Sequence, residues 1–273
     1  MGEQLQDTVS IEFTVGIGDS SFAATAVVPA GPTNLTQILP VLQALDDSFI
    51  DGAITPINAT GSGASCKAGC GACCRQIVPL SLFEAEALAD WIGTLPDFQQ
   101  QELKHRFEEA LNRLAGAGLI ERMITEDWLA HSESGHSLSL DYFEARVACP
   151  FLENECCSIY PIRPLICREY LVSSAPQHCN NPAGLLVKPI VLPLYFSRIL
   201  NSMGAEAEDN SRGWIPLVFL FAWMESGARP GVSVAGDGPE VFHEFAKRIA
   251  KAHAVQTSIS PTPSEVLLSS SNE

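Results

Sequence analysis

Residues 66–74 read C-K-A-G-C-G-A-C-C, and residues 149–170 read C-P-F-L-E-N-E-C-C-S-I-Y-P-I-R-P-L-I-C-R-E-Y. With Cys179 just beyond, these stretches hold all nine cysteines of the chain. A thiolate is a soft ligand that suits zinc and the iron of iron–sulfur clusters, and two or three residues between cysteines let successive sulfurs turn toward one centre. Gly69 and Gly71 give the first loop the backbone freedom to aim amide N–H groups at sulfur. The spacing predicts a metal–thiolate site around which the middle of the chain is organised.

Working outward, residues 8 to 29 alternate as a hairpin does: Val9, Ile11, Phe13 and Val15, a turn at Gly16–Asp19, then Phe22 to Val28. The Gly-x-Gly in that turn is followed by strand rather than helix, so it reads as a turn and not a phosphate loop. Asn34 can cap a helix through Leu35 to Ile50, with Pro40 kinking it or marking its start, before a polar loop at 55 to 65. Ser81 and Glu84 form a capping box that opens a helix with Phe83, Leu88, Trp91 and Ile92 on one face. After Pro96 a second helix carries Leu103, Phe107, Ala110 and Leu114 inward, with its charge run at 102–109 turned to water. A short helix around Ile120, Ile124 and Trp128 leads to a polar loop, Ser132 to Ser137. Beyond Cys179, the apolar run from Trp214 to Met224 reads as a core helix, and Asp237-Gly238-Pro239 opens an amphipathic one.

The expected fold class is therefore α+β and mostly helical, with an N-terminal β-hairpin and metal–thiolate loops at the centre. A single metal-organised domain is expected over residues 1–256, made of a hairpin and helix (1–54), a cysteine module (66–179) and a C-terminal helical part (183–256). The sequence from 257 to 273 reads as a disordered tail.

Acidic residues outnumber basic ones 32 to 16, and the resulting formal charge of −16 opposes binding to nucleic acid or to an anionic membrane. The start, MGEQLQDTVS, has neither a basic region nor an apolar one of signal-peptide type, and Pro216 interrupts the longest apolar run well short of the ~20 residues a membrane span needs. A cytoplasmic location is expected. There disulfides are disfavoured, and the adjacent pairs Cys73–Cys74 and Cys156–Cys157 suit a disulfide framework poorly in any case.

The cysteine text resembles that of the YkgJ-type cysteine-cluster family of zinc- or iron-chelating proteins, whose pattern runs C-x3-C-x2-C-C, then C-P-x-L, then C-x-I-Y-x-x-R-P-x-x-C-R. The matching positions are Cys66, Cys70, Cys73 and Cys74, then Cys149 with Pro150, Cys157 with Ile159 and Tyr160, Arg163 with Pro164, and Cys167 with Arg168. Cys156 is extra to the pattern, and Cys179 lies where a further ligand is plausible. The resemblance covers roughly residues 66 to 179 and implies a metal-bound protein holding iron–sulfur or zinc. Some members look like flagellin lysine methylases, but cysteines that hold a metal do not identify a substrate.

The candidate ligands are thus Cys66, Cys70, Cys73, Cys74, Cys149, Cys157, Cys167 and Cys179. Eight thiolates could fill two four-sulfur zinc sites, or hold one four-iron cluster with others left over. Such a centre carries a charge of about −2, and Arg75, Arg163 and Arg168 beside the ligands could offset it or could bond local carbonyls and carboxylates. Cys66-x3-Cys70-x2-Cys73 is also the spacing of the radical S-adenosylmethionine motif. Those enzymes place it after the first strand of a βα barrel, whereas helices follow directly here. His178 could replace a thiolate or simply sit in a loop, and Tyr160 could bond a sulfur or pack on the cluster loop. Two functions stay open. One is an iron–sulfur protein in redox or modification chemistry with an unidentified redox or protein partner. The other is a zinc-binding structural or interaction module without catalysis. No catalytic residue is assigned.

Overall fold

The computed structural model describes residues 7–261, apart from 18–19, 60, 62, 126–132, 181–185, 208–211, 228–234 and 253. The fold is α+β and mostly helical, with small antiparallel strand pairs. Strands β1 (Thr8–Ile17) and β2 (Ser20–Pro29) form the expected hairpin, in continuous register from Thr8 opposite Pro29 to Ile17 opposite Ser20. After β3 (Pro32–Asn34) comes a turn in which the Gln37 N–H donates to Asn34 Oδ1 at 2.9 Å. This turn delays α1 (Leu39–Ala59), so the helix starts four residues later than expected from Asn34. It also continues past Ile50 through Pro56, because only the last turn has to forgo a hydrogen bond there. The expected loop at 55–65 is correspondingly shorter.

Strand β4 (Pro79–Ser81) runs directly into α2 (Leu82–Thr94), whose capping box is complete. Helix α3 (Asp97–Gly116) buries Leu103, Phe107, Ala110 and Leu114 as its period requires. Its charged face is less detached than expected: Arg106 reaches Glu153 at 2.7 Å and the Pro150 carbonyl at 3.3 Å, and Lys104 reaches Glu225 at 2.6 Å. Helix α4 (Ile120–Thr125) contains Ile120 and Ile124, while Trp128 lies outside the described residues. Helix α5 (Glu133–Glu144) occupies most of the segment expected as a polar loop.

The second cysteine stretch forms a minimal hairpin, β5 (Leu152–Glu153) with β6 (Cys156–Cys157), then the five-residue helix α6 (Leu165–Glu169). Helix α7 (Phe196–Ala207) follows. The segment expected as one helix from Trp214 divides into β7 (Trp214–Pro216), a 3-10 turn and the short α8 (Leu220–Glu225). The cause is pairing: Trp214 lies opposite Ser81 on β4, and the Leu217 N–H donates to the Val78 carbonyl at 2.8 Å. Strand β8 (Ala235–Asp237) pairs with β3 and leads into α9 (Gly238–Ala252). The expected tail is corrected in part: β9 (Ala254–Pro261) pairs antiparallel with β1, giving the sheet order β2-β1-β9. Residues 262–273 lie outside the described set.

Backbone packing divides the chain into two compact units, Met1–Leu45 with Ser233–Glu273, and Asp46–Val232. In the first, alternate β1 residues Ile11, Phe13 and Val15 are buried, and Phe13 meets Phe242 of α9 edge-on at 5.7 Å. Val241, Phe245 and Ile249 complete the buried face of α9. The second unit holds every cysteine and has its own core, in which Leu80, Leu88, Ile92, Phe107, Phe151 and Leu217 pack together. Among the described residues no helix is long and apolar enough to cross a membrane.

Candidate metal centre

All nine cysteines are free thiols. Seven of them, Cys66, Cys70, Cys73, Cys74, Cys149, Cys157 and Cys167, line a single cavity of about 140 Å³. Its other walls are largely apolar, with Val78, Phe151, Ile159 and Leu217 among them. Stretches separated by some 75 residues of helical insert are thus brought to one place.

Local chemistry sets each stretch. Gly69 takes φ of +85°, a left-handed conformation that favours glycine, and Gly71 passes so close to the β5–β6 turn that a Cβ would stand 2.5 Å from the Glu155 carbonyl oxygen. The Cys149 N–H donates to the Cys74 carbonyl at 2.7 Å, which fastens the second stretch to the first. Phe151 is buried between Phe107 (5.4 Å) and Trp91 (6.3 Å), so the phenylalanine of C-P-F-L anchors this segment to the core. In the hairpin, Leu152 faces Cys157 and Glu153 faces Cys156. The two-residue period of a strand then sends Cys157 to the cavity and Cys156 to solvent, which explains why adjacent cysteines differ.

The turn of that hairpin, Asn154 (φ 50°) and Glu155 (φ 61°), is left-handed at two non-glycine residues. Such a conformation costs roughly 1–2 kcal/mol per residue, less for asparagine. Arg75 grips the Glu155 carboxylate with both guanidinium nitrogens, at 3.1 and 2.5 Å, and also donates to the Gly71 carbonyl at 3.2 Å. Arg75 is therefore a clamp between the two cysteine stretches rather than a counter-charge in the cavity.

Cys167 is placed by Glu84. This fully buried carboxylate accepts the Ser81 N–H and hydroxyl on one oxygen and the Leu165 N–H on the other, at 2.7 Å. The capping box of α2 thereby also caps α6, the helix that carries Cys167. Arg168 is buried and spent on structure: it donates to the carbonyls of Arg163 and Pro161 and to Asp47 Oδ2 at 2.6 Å. It pins the loop 160–164. Arg163 and Arg168 both line the cavity, and Arg163 lies 3.8 Å over the Tyr160 ring at its wall.

Cys179 sits in a 3-10 turn, Pro176–Asn180, and is buried without lining the cavity. His178 is directed to the Leu186 carbonyl at 3.2 Å. Tyr170, which the sequence reading passed over, lines the cavity and receives Gln76 Nε2 on its hydroxyl at 3.3 Å. Its only sequence signal is its place after C-R-E, close to the ligand stretch.

Electrostatics favour the protonated form of five of these thiols, Cys66, Cys73, Cys149, Cys157 and Cys167, while they are metal-free. Burial pushes Cys149 up to about 12, with Cys157 and Cys73 adding to the effect. Burial raises Cys167, and its neighbours Cys149, Cys73 and Cys157 raise it further. Cys73 is raised first by its hydrogen bond to Cys74 and then by burial. For Cys157 burial outweighs the Ile159 N–H and Arg163, and for Cys66 it outweighs the Val172 N–H, which donates to its sulfur at 3.4 Å. A metal that binds here displaces protons.

Behind the site lies a buried acidic group. Asp46 is fully buried, neither carboxylate oxygen has a hydrogen-bond partner, and burial together with Glu169 pushes it up to about 9. Glu169 is pushed up to about 7 by burial, although the Ser197 N–H and hydroxyl both donate to it.

The donor set fits a soft metal, being sulfur alone with N–H and arginine support. The thiols form a cage and not a closed tetrahedron: among the described residues, no three His, Cys, Asp or Glu side chains stand together as ligands of one ion. Residues 65–183 match a family model described as "putative zinc- or iron-chelating domain" of the CxxCxxCC type. No curated protein and no solved structure gives a significant match to the chain. The order of the cysteines, their convergence on one cavity and the matched model agree, and residues 65–183 of this chain are similar to the CxxCxxCC zinc- or iron-chelating domain.

Proposed function

We propose that this chain is an iron–sulfur protein acting in redox or modification chemistry in a reducing cytoplasm, with a protein redox partner. Its cluster ligands are drawn from Cys66, Cys70, Cys73, Cys74, Cys149, Cys157, Cys167 and Cys179. The observation that carries this reading is the cavity itself: seven thiols around about 140 Å³. A lone zinc draws four sulfurs to about 2.3 Å from one point and leaves no such room, whereas a cluster of several irons and sulfides fills it. That volume is several times the ~30 Å³ share of one liquid water.

A bound cluster would supply one-electron chemistry at a potential set by its surroundings. The chain's own residues would do the tuning. Arg163 would offset thiolate charge, the Val172 N–H would stabilise the Cys66 thiolate, and the apolar walls would keep water away. The net charge of −16 supports a protein or small-molecule partner over nucleic acid.

The deciding experiment is metal and acid-labile sulfide analysis, with a visible spectrum, on protein purified without oxygen. Iron with matching sulfide and sulfur-to-iron charge-transfer absorbance is expected. Stoichiometric zinc without sulfide would replace this reading with a metal-stapled scaffold that lacks redox chemistry.

A further inference from the structure

The wall of the thiol cavity departs from the rest of the chain in charge. Acidic residues outnumber basic ones 32 to 16 overall, yet among the described residues that line the cavity there is no aspartate or glutamate, and Lys67, Arg163 and Arg168 are cations. The two guanidiniums are held within the wall. Arg168 is buried on Asp47 and two carbonyls, and Arg163 is half-buried over the Tyr160 ring, where it donates to the Tyr160 carbonyl at 3.0 Å.

Lys67 differs. Among the described residues it is the one exposed member of the cavity lining, so it marks where the cavity opens to solvent. A turn sets its place: the Cys70 N–H donates to the Lys67 carbonyl at 3.1 Å, and Gly69, in its left-handed conformation, is the third residue of that turn. Ala68 and Gly69 are exposed and small, so the turn adds no bulky side chain beside the lysine. Lys67 forms no ion pair with a described carboxylate, and Glu155, on the hairpin packed against Gly71, is already gripped by Arg75. An exposed ammonium is screened by water and adds little to the balance of charge inside the cavity. Its attraction strengthens when a ligand of opposite charge displaces that water.

We propose that the mouth of the thiol cavity is a binding site for a small organic anion bearing a carboxylate or phosphate, held by the Lys67 ammonium. This rests on the reading that the cavity holds a redox cluster, and it adds the class of substrate that the site takes. A molecule held there lies at the entrance to the centre with which it exchanges electrons. A cationic ligand finds no carboxylate in the described wall to receive it. A large acidic protein meets the repulsion of a chain at −16, whereas charges are screened beyond about 8 Å at physiological ionic strength, so a ligand with one or two charges responds chiefly to the mouth.

The test uses the full-length chain purified without oxygen, with iron and sulfide measured on the same preparation. Succinate and inorganic phosphate are titrated in at constant ionic strength, with neutral acetamide as the control. Binding is read from the charge-transfer spectrum and from protection of Lys67 against amine acetylation, mapped by mass spectrometry. Saturable binding of at least one of the anions, with Lys67 protected, is expected, and acetamide should do neither. Lys67→Gln should weaken binding about tenfold, as loss of a hydrogen bond to a charged group does. Lys67→Arg should keep most of the affinity, and Lys251→Gln, which removes the same charge from α9, should leave it unchanged. Equal affinity in the wild type and Lys67→Gln, or no saturable binding by the cluster-loaded wild type, overturns the anion site and leaves the cluster reading standing. A preparation without iron and sulfide overturns that reading and the substrate class with it. Protection of Lys67 in the wild type decides the matter even where a variant does not fold.

Discussion

The two compact units of this molecule are held together by different means. In the first, the sheet and α9 bury Phe13, Phe242 and Phe245 in a pattern of periods two and 3.6, and the apolar contact is itself the stabilising force. In the second, the segments that carry the cysteines have little regular structure: two strands of two residues and one helix of five. Their backbone is fixed by single polar pins, namely Glu84 on Leu165, Arg168 on the 160–164 loop, Arg75 on Glu155 and the Cys149 N–H on Cys74. The difference shows what a ligand loop needs. It must place sulfurs instead of burying area, so it borrows rigidity from a neighbouring core and from whatever the sulfurs bind.

Removing the metal is the strongest way to break this contrast. Structural zinc contributes an apparent 10–16 kcal/mol or so to small metal-dependent folds. Chelation should therefore raise amide exchange around Cys66–Cys74 and Cys149–Cys157 and leave β1 and β2 protected. Acid should act likewise. Because the folded thiols are raised, with Cys149 at about 12, metal must displace protons throughout the neutral range, so affinity falls as pH drops. It should keep climbing above pH 9, by up to about tenfold per displaced proton per pH unit. A plateau below pH 9 would contradict the buried, raised thiols.

Phe13→Ala tests the other side of the comparison. Truncating a fully buried phenylalanine costs about 3–5 kcal/mol, and thermal melting should show that loss whether or not metal is present. Glu84→Ala removes the acceptor shared by Ser81 and Leu165 and strands a buried N–H. We expect roughly 1–3 kcal/mol of destabilisation, together with weaker metal retention, because α6 carries Cys167. Unchanged metal affinity would show that α6 needs no such pin.

Asp46→Asn sharpens the comparison in the opposite direction, since it should stabilise. The folded pKa of Asp46, about 9, lies above its ordinary 3.8, so its contribution to stability is full below pH 4 and is lost as pH rises toward 9. Asparagine does not titrate. The variant's relative stability should rise steadily from near pH 4, by on the order of 1.4 kcal/mol per pH unit until pH approaches 9, measured by denaturation at several pH values. A constant difference would mean that Asp46 ionises in the folded chain at its ordinary pKa. The smallest effect is expected from Arg75→Ala. Glu155 is 65% exposed and Arg75 24%, so solvent screens the ion pair and its loss should hardly change stability. The readout is faster metal loss to a competing chelator, with melting nearly unchanged.

Reading the sequence recovered much of this where the signal was local. The hairpin of residues 8–29, the Ser81–Glu84 capping box, the buried face of α3 and the start of α9 all follow from period and capping, and all are present. It failed where a distant partner overrode local preference. Trp214–Pro216 became a strand because β4 was there to pair with it, and β9 formed because β1 offered an edge. The roles of the arginines were also out of reach. Arg75, Arg163 and Arg168 all sit beside ligand cysteines in the sequence, and only their neighbours made Arg75 a clamp, Arg163 a lining cation and Arg168 a loop pin that also reaches the cavity wall.

The sequence by itself determined that this chain is an acidic protein with a thiol-rich segment whose spacing suits metal binding, because ligand chemistry and turn geometry are local properties of a few adjacent residues. Tertiary structure alone decided that Cys156 faces away, that the capping glutamate Glu84 also positions Cys167, and that seven thiols from two distant stretches line one cavity. Each of these depends on which residues distant in the chain are brought within hydrogen-bond or van der Waals reach, and that proximity is a property of the packed molecule.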